Sequence, residues 1–121
     1  MQVKAEQIQI TRQSCEGKVR IKRKTAWVDR YAQVKDALFQ YKEDRYSIKA
    51  RFMTDLRKCE VRKGKLDGDR GYFQIKDRVD KKAEVIMITF ENNDEFNRWG
   101  QVFMESMKSD QELKDAKMKI L

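Results

Sequence analysis

The apolar residues of this chain change their spacing once, near residue 90, and this change constrains the fold more than any other feature. Before it, apolar and polar side chains alternate in short runs such as 17–24, the pattern of half-buried strands. After it, apolar residues recur every three or four positions, the spacing of one helix face: Phe96, Trp99, Phe103 and Met107. The sequence therefore predicts a run of strands followed by one amphipathic helix.

Seven short segments before the change have the composition of strands. The predicted strands are 17–24, 27–35, 37–42, 52–56, 59–61, 72–75 and 83–90. Few residues separate the first three, which is typical of an antiparallel meander. Segment 63–71 contains three glycines and mixed charge and is predicted to be a loop. Within it, Asp67-Gly68-Asp69 has too few ligands for calcium, which favours a plain turn.

The start of the helix has its own signal. Asn92 with Glu95 three positions later forms a capping box, and Asp94 and Glu95 suit the positive end of the helix dipole. Gly100 weakens the helix interior unless it allows a strand to approach closely. The chain is expected to divide into an N-terminal lead-in (1–14), one domain (15–108) and a C-terminal tail or helix extension (109–121).

A helix with one apolar face must bury it, and a meander with one buried face offers an open barrel to cover. The expected fold is mainly β with one C-terminal helix, a seven-stranded, partly open barrel or orthogonal sandwich capped by that helix. Trp99, with Phe96 and Phe103, is expected to be a structural plug that fills the mouth closed by the helix.

The composition argues against catalysis and for an anionic partner. The chain has no His, so it lacks the commonest general base and metal ligand, and we expect no catalytic residues, no metal and no cofactor. Its 28 basic and 20 acidic residues give a net charge of +8. Such a surplus favours phospholipid headgroups, nucleic acid or acidic protein surfaces.

Two cysteines, Cys15 and Cys59, do not make a disulfide framework. The sequence also lacks a signal peptide and any apolar run long enough to span a membrane. We therefore expect a reduced, cytoplasmic protein that associates with membranes only peripherally.

Several segments taken in order resemble the pleckstrin-homology (PH) family across residues 15–108. The segments that carry the resemblance are Glu16-Gly17, the aromatic and basic run 27–41, Asp55-Leu56-Arg57-Lys58-Cys59-Glu60-Val61, Tyr72-Phe73-Gln74-Ile75 and the helix with Trp99. The resemblance implies a binding module without enzymatic activity. In lipid-binding members, basic residues at the end of the first strand and on the second hold inositol phosphates.

The first hairpin carries the candidate site. By alternation, Arg23 continues the inner face of Val19 and Ile21, and Arg30 shares a face with Ala32 and Val34, so both should reach the open end of the barrel. Converging cations form charge-assisted hydrogen bonds with phosphate. The predicted headgroup-binding residues are Arg23, Arg30, Lys24 and Lys22, with Lys49, Arg51 and Gln40 as secondary candidates.

The resemblance to lipid binders is incomplete at two positions. Val28 stands where they usually have Lys or Arg, and Ile21 stands where their first-strand Lys often sits. Weak binding is therefore expected. The outer face of the first strand carries Lys18, Arg20, Lys22 and Lys24, which fit either a solvated face or an electrostatic contact with anionic lipid.

The sequence leaves three functions to compare. The first is weak membrane recruitment through a phosphoinositide or phosphatidic acid headgroup. The alternative is a protein-interaction or scaffold module with a degenerate lipid pocket, brought to membranes by another anchor. Binding of single-stranded nucleic acid would need exposed aromatic residues among cations, and the candidates Trp27, Tyr31, Phe39 and Tyr41 have spacings more typical of packing, so we do not expect it.

Overall fold

The computed structural model describes residues 10–120, so residues 1–9 of the expected lead-in lie outside it. Seven strands form one antiparallel sheet in the order β4-β3-β2-β1-β7-β6-β5. The strands are β1 (Cys15–Lys22), β2 (Trp27–Lys35), β3 (Leu38–Lys42), β4 (Phe52–Asp55), β5 (Cys59–Lys65), β6 (Gly71–Asp77) and β7 (Ile86–Thr89). Two helices follow, α1 (Asn93–Ser106) and α2 (Asp110–Ile120).

The sheet folds over one core, as the period-two pattern predicts. Val19 and Ile21 of β1 and Ala32 and Val34 of β2 are all buried on the inner face. Within the described residues, β4 and β5 are the two edges of the strand order, so the barrel is partly open. The predicted architecture, a mainly β, seven-stranded, partly open barrel capped by a helix, is confirmed.

Several predicted strand boundaries were wrong. Strand β1 runs over Cys15–Lys22 and not over 17–24, so Arg23 and Lys24 follow the strand. Segment 63–71 is not all loop, because β5 continues to Lys65, and Gly64 lies opposite Tyr72, where a Cβ atom would come within 2.6 Å of the tyrosine ring. Ala37 is not in β3 but forms a two-residue turn with Asp36, both at positive φ. The last strand is only Ile86–Thr89 instead of 83–90.

Helix α1 closes one end of the barrel. The Asn92 side chain accepts a hydrogen bond from the Glu95 backbone N–H at 2.9 Å, as the capping prediction requires. Trp99 and Phe103 are fully buried, and Phe103 contacts the rings of Phe39 from β3 and Phe73 from β6. The helix therefore packs against both halves of the folded sheet.

Gly100 and Phe96 bring α1 close to β6. A Cβ atom at Gly100 would lie 2.9 Å from the Phe73 ring, so the glycine does permit close approach to a strand. The Phe96 ring stacks on the Phe73 ring with centroids 4.4 Å apart. These contacts leave no room for an added methyl group at position 100 without movement of Phe73.

The C-terminal tail is a separate helix and does not extend α1. The Ser109 hydroxyl accepts from the Glu112 N–H at 3.1 Å, and the Glu112 carboxylate accepts from the Ser109 N–H at 3.3 Å. This is a second capping box. The buried guanidinium of Arg12 joins the two helices, because it donates to the carbonyl oxygens of Glu105 and Lys108 and to the Asp110 carboxylate.

Candidate functional site

Two arginines of the first hairpin line one cavity at the end of the barrel that α1 does not cover. Arg23 directly follows β1, and Arg30 lies in β2 opposite Val19. The cavity has a volume of about 360 Å³. Its lining residues are Ile21, Arg23, Lys24, Thr25, Ala26, Val28, Arg30, Tyr41, Arg51 and Glu84.

The charges around this cavity favour an anion. Four cations and one carboxylate line it, a surplus of three positive charges. We call it the basic cavity. A neighbouring cavity on the outer face, about 460 Å³, has Lys18, Arg30 and Arg45 against Asp29, Glu43 and Asp44, so its charges cancel. Of these two cavities, only the basic cavity has the electrostatics for a phosphate group.

Glu84 lies within the basic cavity and binds Arg23. Its Oε2 atom accepts from both Nε and Nη2 of Arg23 at 2.5 Å. Partial burial lowers the pKa of Arg23, but Tyr41 and Glu84 more than offset it and hold the pKa above its ordinary value. A phosphate entering the cavity would compete with Glu84 for the Arg23 guanidinium.

Arg51 and Arg30, the two other arginines of the basic cavity, form weaker contacts with groups of the protein than Arg23 does. Arg51 lies 3.6 Å from Glu43, and its side chain is 51% exposed. Arg30 donates to the backbone carbonyl oxygen of Asp29 at 2.8 Å. The Arg23 guanidinium also lies over the Phe52 ring, 5.7 Å from its centroid, a cation–π contact that helps to fix its position.

Of the remaining predicted residues, Lys22, Gln40 and Lys49 do not line the basic cavity. Lys22 lies over the Trp27 ring at 6.0 Å, and Gln40 donates to the Gln33 side chain at 2.8 Å. Lys49 is exposed in the β3–β4 connection, two residues before Arg51. Arg51, predicted as a secondary candidate, lines the cavity directly.

The outer face of β1 is partly neutralised. Lys18 and Arg20 both lie near the Asp29 carboxylate, at 4.0 and 3.3 Å. These pairs are exposed and therefore weak. They reduce the positive field on this face and favour the interpretation of a solvated surface.

Two of the four aromatic candidates for nucleic-acid stacking are unavailable to a base. Phe39 and Tyr41 are buried, while Trp27 and Tyr31 are half-buried.

Both cysteines are buried and free. Burial raises the pKa of the Cys15 thiol to about 12 and also raises that of Cys59.

Comparison with known protein families assigns most of the chain to one of them. The model of the PH domain family matches residues 11–108. The chain belongs to the PH domain family. PH domains are in general non-catalytic binding modules. A comparison with curated proteins gave no match to this chain.

Solved PH domains share the architecture at low sequence identity. The PH domain of human KIAA0053 protein is 14% identical over 78% of this chain and 88% of its own, with a TM-score of 0.68. The PH domain of human oxysterol binding protein-related protein 11 is 15% identical over 86% and 85%, with a TM-score of 0.64. At these identities, the likeness shows the fold alone.

A third similar structure contains a ligand. The Slm1 PH domain, solved with inositol-4-phosphate, is 9% identical over 83% of this chain and 100% of its own, with a TM-score of 0.65.

Within residues 10–120, no helix is both long enough and apolar enough to cross a membrane.

Sequence reasoning missed Glu84. The 83–90 segment was predicted only as an apolar strand, and no local pattern indicates that its second residue reaches Arg23, which is 61 positions earlier. Only the folded sheet, which pairs β1 with β7, brings the two together. The Ser109–Glu112 capping box, in contrast, was visible in the sequence and would have predicted α2.

Proposed function

We propose that this PH domain is a non-catalytic module that recruits its protein to membranes by holding an anionic phospholipid headgroup, a phosphoinositide or phosphatidic acid, in the basic cavity. Arg23, Lys24, Arg30 and Arg51 would bind the phosphate groups. Association with the membrane would be peripheral, since the contact is with headgroups.

One observation carries the proposal, the convergence of four cations from three parts of the chain on one cavity of about 360 Å³. Guanidinium groups bind phosphate through paired, charge-assisted hydrogen bonds, and cations on adjacent strands can contact the same phosphate. The ligand of the Slm1 domain, an inositol phosphate, belongs to the class that such a cavity would take.

The binding should be weak. Glu84 already forms an ion pair with Arg23. In addition, Val28 lines the cavity at the position where lipid-binding PH domains usually have a cation. Each further basic residue near an anionic membrane adds about 1 kcal/mol, so Lys24 and Arg51 supplement the site without making it tight.

Vesicle co-sedimentation tests the proposal. The protein is mixed at moderate salt with phosphatidylcholine vesicles that contain a phosphoinositide or phosphatidic acid, and with phosphatidylserine vesicles of matched charge. Arg23→Ala and Arg30→Ala should each weaken binding about tenfold, because each removes a charge-assisted hydrogen bond. Arg62→Ala is the matched control, since Arg62 is an exposed, ion-paired arginine on β5.

Three results would contradict headgroup capture. The first is the absence of pelleting with any of the anionic vesicles. The second is an equal loss for Arg62→Ala, and the third is equal binding to phosphatidylserine vesicles. Either of the last two would mean that diffuse charge and not the basic cavity holds the membrane.

The Arg23–Glu84 pair favours a second candidate function. If that pair closes the cavity to phosphate, the domain would act as a protein-interaction or scaffold module whose parent protein reaches membranes through another anchor. Capture of a partner protein that survives both arginine substitutions, with no vesicle binding, would support this function over the first.

A further inference from the structure

The connection between β3 and β4, residues 43–51, exposes two apolar side chains close together. Ile48 is fully exposed at 103%, and Tyr46 is 86% exposed. A single exposed apolar residue is ordinary, but here two lie within three positions at the tip of one connection. We call residues 43–51 the apolar loop.

Hydrogen bonds fix the apolar loop in this exposed form. The Asp44 carboxylate accepts from the backbone N–H of Tyr46 at 2.9 Å and of Ser47 at 3.0 Å, and from the Ser47 hydroxyl at 3.1 Å. These bonds hold the pKa of Asp44 below its ordinary value. At the other end of the loop, the Arg51 N–H donates to the Tyr41 carbonyl oxygen at 2.9 Å.

The loop continues directly into the basic cavity. Its last residue, Arg51, lines that cavity, and Arg45 and Lys49 flank the two apolar residues. An apolar tip surrounded by cations matches the chemistry of an anionic membrane surface, where headgroup charge lies next to the acyl region. Tyrosine in particular prefers this interface.

The hairpin on the other side of the cavity lacks such a tip. Between β1 and β2 it has only Arg23, Lys24, Thr25 and Ala26, with no large apolar side chain. The third connection that borders the cavity, residues 78–85 between β6 and β7, supplies Glu84 and carries one exposed apolar side chain, Val79, with Asp77 and Asp80 close by in the sequence. Of the three connections, only the apolar loop pairs two exposed apolar side chains with flanking cations, so it is the one equipped to enter the acyl region.

We infer that the apolar loop inserts Ile48 and Tyr46 into the acyl boundary of the same membrane whose headgroup occupies the basic cavity. This inference rests on the proposed function and adds a second, apolar contact to it. The basic cavity selects the phosphate, and the inserted side chains slow dissociation from the membrane.

Vesicle affinity gives the first test. Ile48→Ser keeps the net charge but removes one of the two inserted apolar side chains, so binding to phosphoinositide vesicles should weaken about fivefold. Met104→Ser is the matched control, because Met104 is an apolar residue that is 57% exposed on α1, the helix that covers the other end of the barrel. Its substitution should leave the affinity unchanged.

A label at the loop tip separates this inference from the proposed function. Ile48→Cys and Met104→Cys are each labelled with an environment-sensitive fluorophore, which is selective because Cys15 and Cys59 are buried. The same vesicle samples are pelleted in parallel. We expect a blue shift and brightening of the Ile48→Cys label on vesicles that pellet the protein, and no change for the Met104→Cys label.

Each other outcome overturns the inference in a distinguishable way. If the protein pellets but the Ile48→Cys label does not change, or both labels change equally, loop insertion is contradicted and headgroup capture is not. Ile48 and Tyr46 would then form a contact surface for a partner protein. Failure to pellet at all removes both the inference and the proposed function.

Discussion

The two ends of this barrel have the same strands but opposite chemistry. The end covered by α1 is buried and aromatic: Trp99 and Phe103 are fully buried, and the Trp99 ring stacks on Phe90 with centroids 5.5 Å apart. The other end is lined by four cations, and side chains such as Arg51 remain about half exposed. One end holds the fold together, so the other is free to carry a ligand.

Two arginines illustrate the difference. Arg12, beside the C-terminal end of α1, has a side chain that is 1% exposed and directs both terminal nitrogens at acceptors of the protein. Arg23 is 40% exposed and has one carboxylate partner. Although the Arg12 Nε is buried without a hydrogen-bond partner among the described residues, both terminal nitrogens are held by the protein. A guanidinium held in this way stabilises structure, whereas one with exposed donors can still bind an external anion.

The largest effect should follow from emptying the covered end. Trp99→Ala removes a fully buried indole and leaves a cavity between the helix and the sheet, which should cost about 3–5 kcal/mol of unfolding free energy. Trp27→Ala, at a half-buried tryptophan on β2, should cost about 1 kcal/mol. Urea unfolding measures both. Equal losses would show that the covered end has no special role.

Gly100→Ala tests how tightly the covered end is packed. Alanine raises helix propensity by about 1 kcal/mol, but its methyl group would meet the Phe73 ring at 2.9 Å. Overpacking costs about 1–3 kcal/mol, so we expect a net loss of about 1 kcal/mol in urea unfolding. Gln101→Ala, at the next, exposed position, should change stability by less than about 0.5 kcal/mol. A Gly100→Ala variant more stable than the parent would contradict this packing.

A smaller effect is expected at the open end. Glu84→Gln releases Arg23 and removes a negative charge from the basic cavity, so binding to phosphoinositide vesicles should tighten about threefold. Glu60→Gln breaks a comparable pair with Arg62 on β5 and should not change binding. If Glu84→Gln weakens binding instead, then Glu84 positions Arg23 and does not compete with the phosphate.

The smallest effect concerns acid stability. The hydrogen bond from Arg12 holds the pKa of Asp110 below its ordinary 3.8. A lowered folded-state pKa means that the pair stabilises the fold at neutral pH and that this contribution is lost as the pH falls below 3.8. Asp110→Asn should therefore be less stable than the parent near neutral pH, and the difference should shrink in acid.

Asp115→Asn is the matched control for this pH dependence. Asp115 also lies on α2, but its carboxylate accepts from the Gln111 side chain and not from a buried arginine. Urea unfolding of both variants at several pH values decides the point. A difference between Asp110→Asn and the parent that stays constant into acid would argue against the role given to Arg12.

Local patterns in the sequence predicted most of the fold. The predicted bounds of β2, 27–35, are those observed, and its second half alternates as predicted, because Ala32 and Val34 are buried while their neighbours are not. Asn92 was predicted as the helix cap from adjacent residues. The prediction of a loop at Gly64 was wrong because glycine in a strand and glycine in a loop have the same local signal. Only the Tyr72 ring on the neighbouring strand distinguishes the two cases.

The candidate site was less accessible to sequence reasoning. Alternation predicted that Arg23 and Arg30 would share an end of the barrel, since both lie in one hairpin. The approach of Glu84 to Arg23 depends on pairing between β1 and β7, and the approach of Arg51 on the end of a long connection. Such contacts between distant segments leave no periodic trace in one sequence.

Nuclear magnetic resonance of the ¹⁵N-labelled domain, titrated with a soluble inositol phosphate, tests the difference between the two ends most directly. Our account predicts saturable shifts of the backbone amides of residues 23–30 and of Arg51, with the indole N–H of Trp99 unchanged. Shifts confined to the outer face at Lys18 and Arg20, or no shifts at ligand concentrations that release the protein from vesicles, would contradict it.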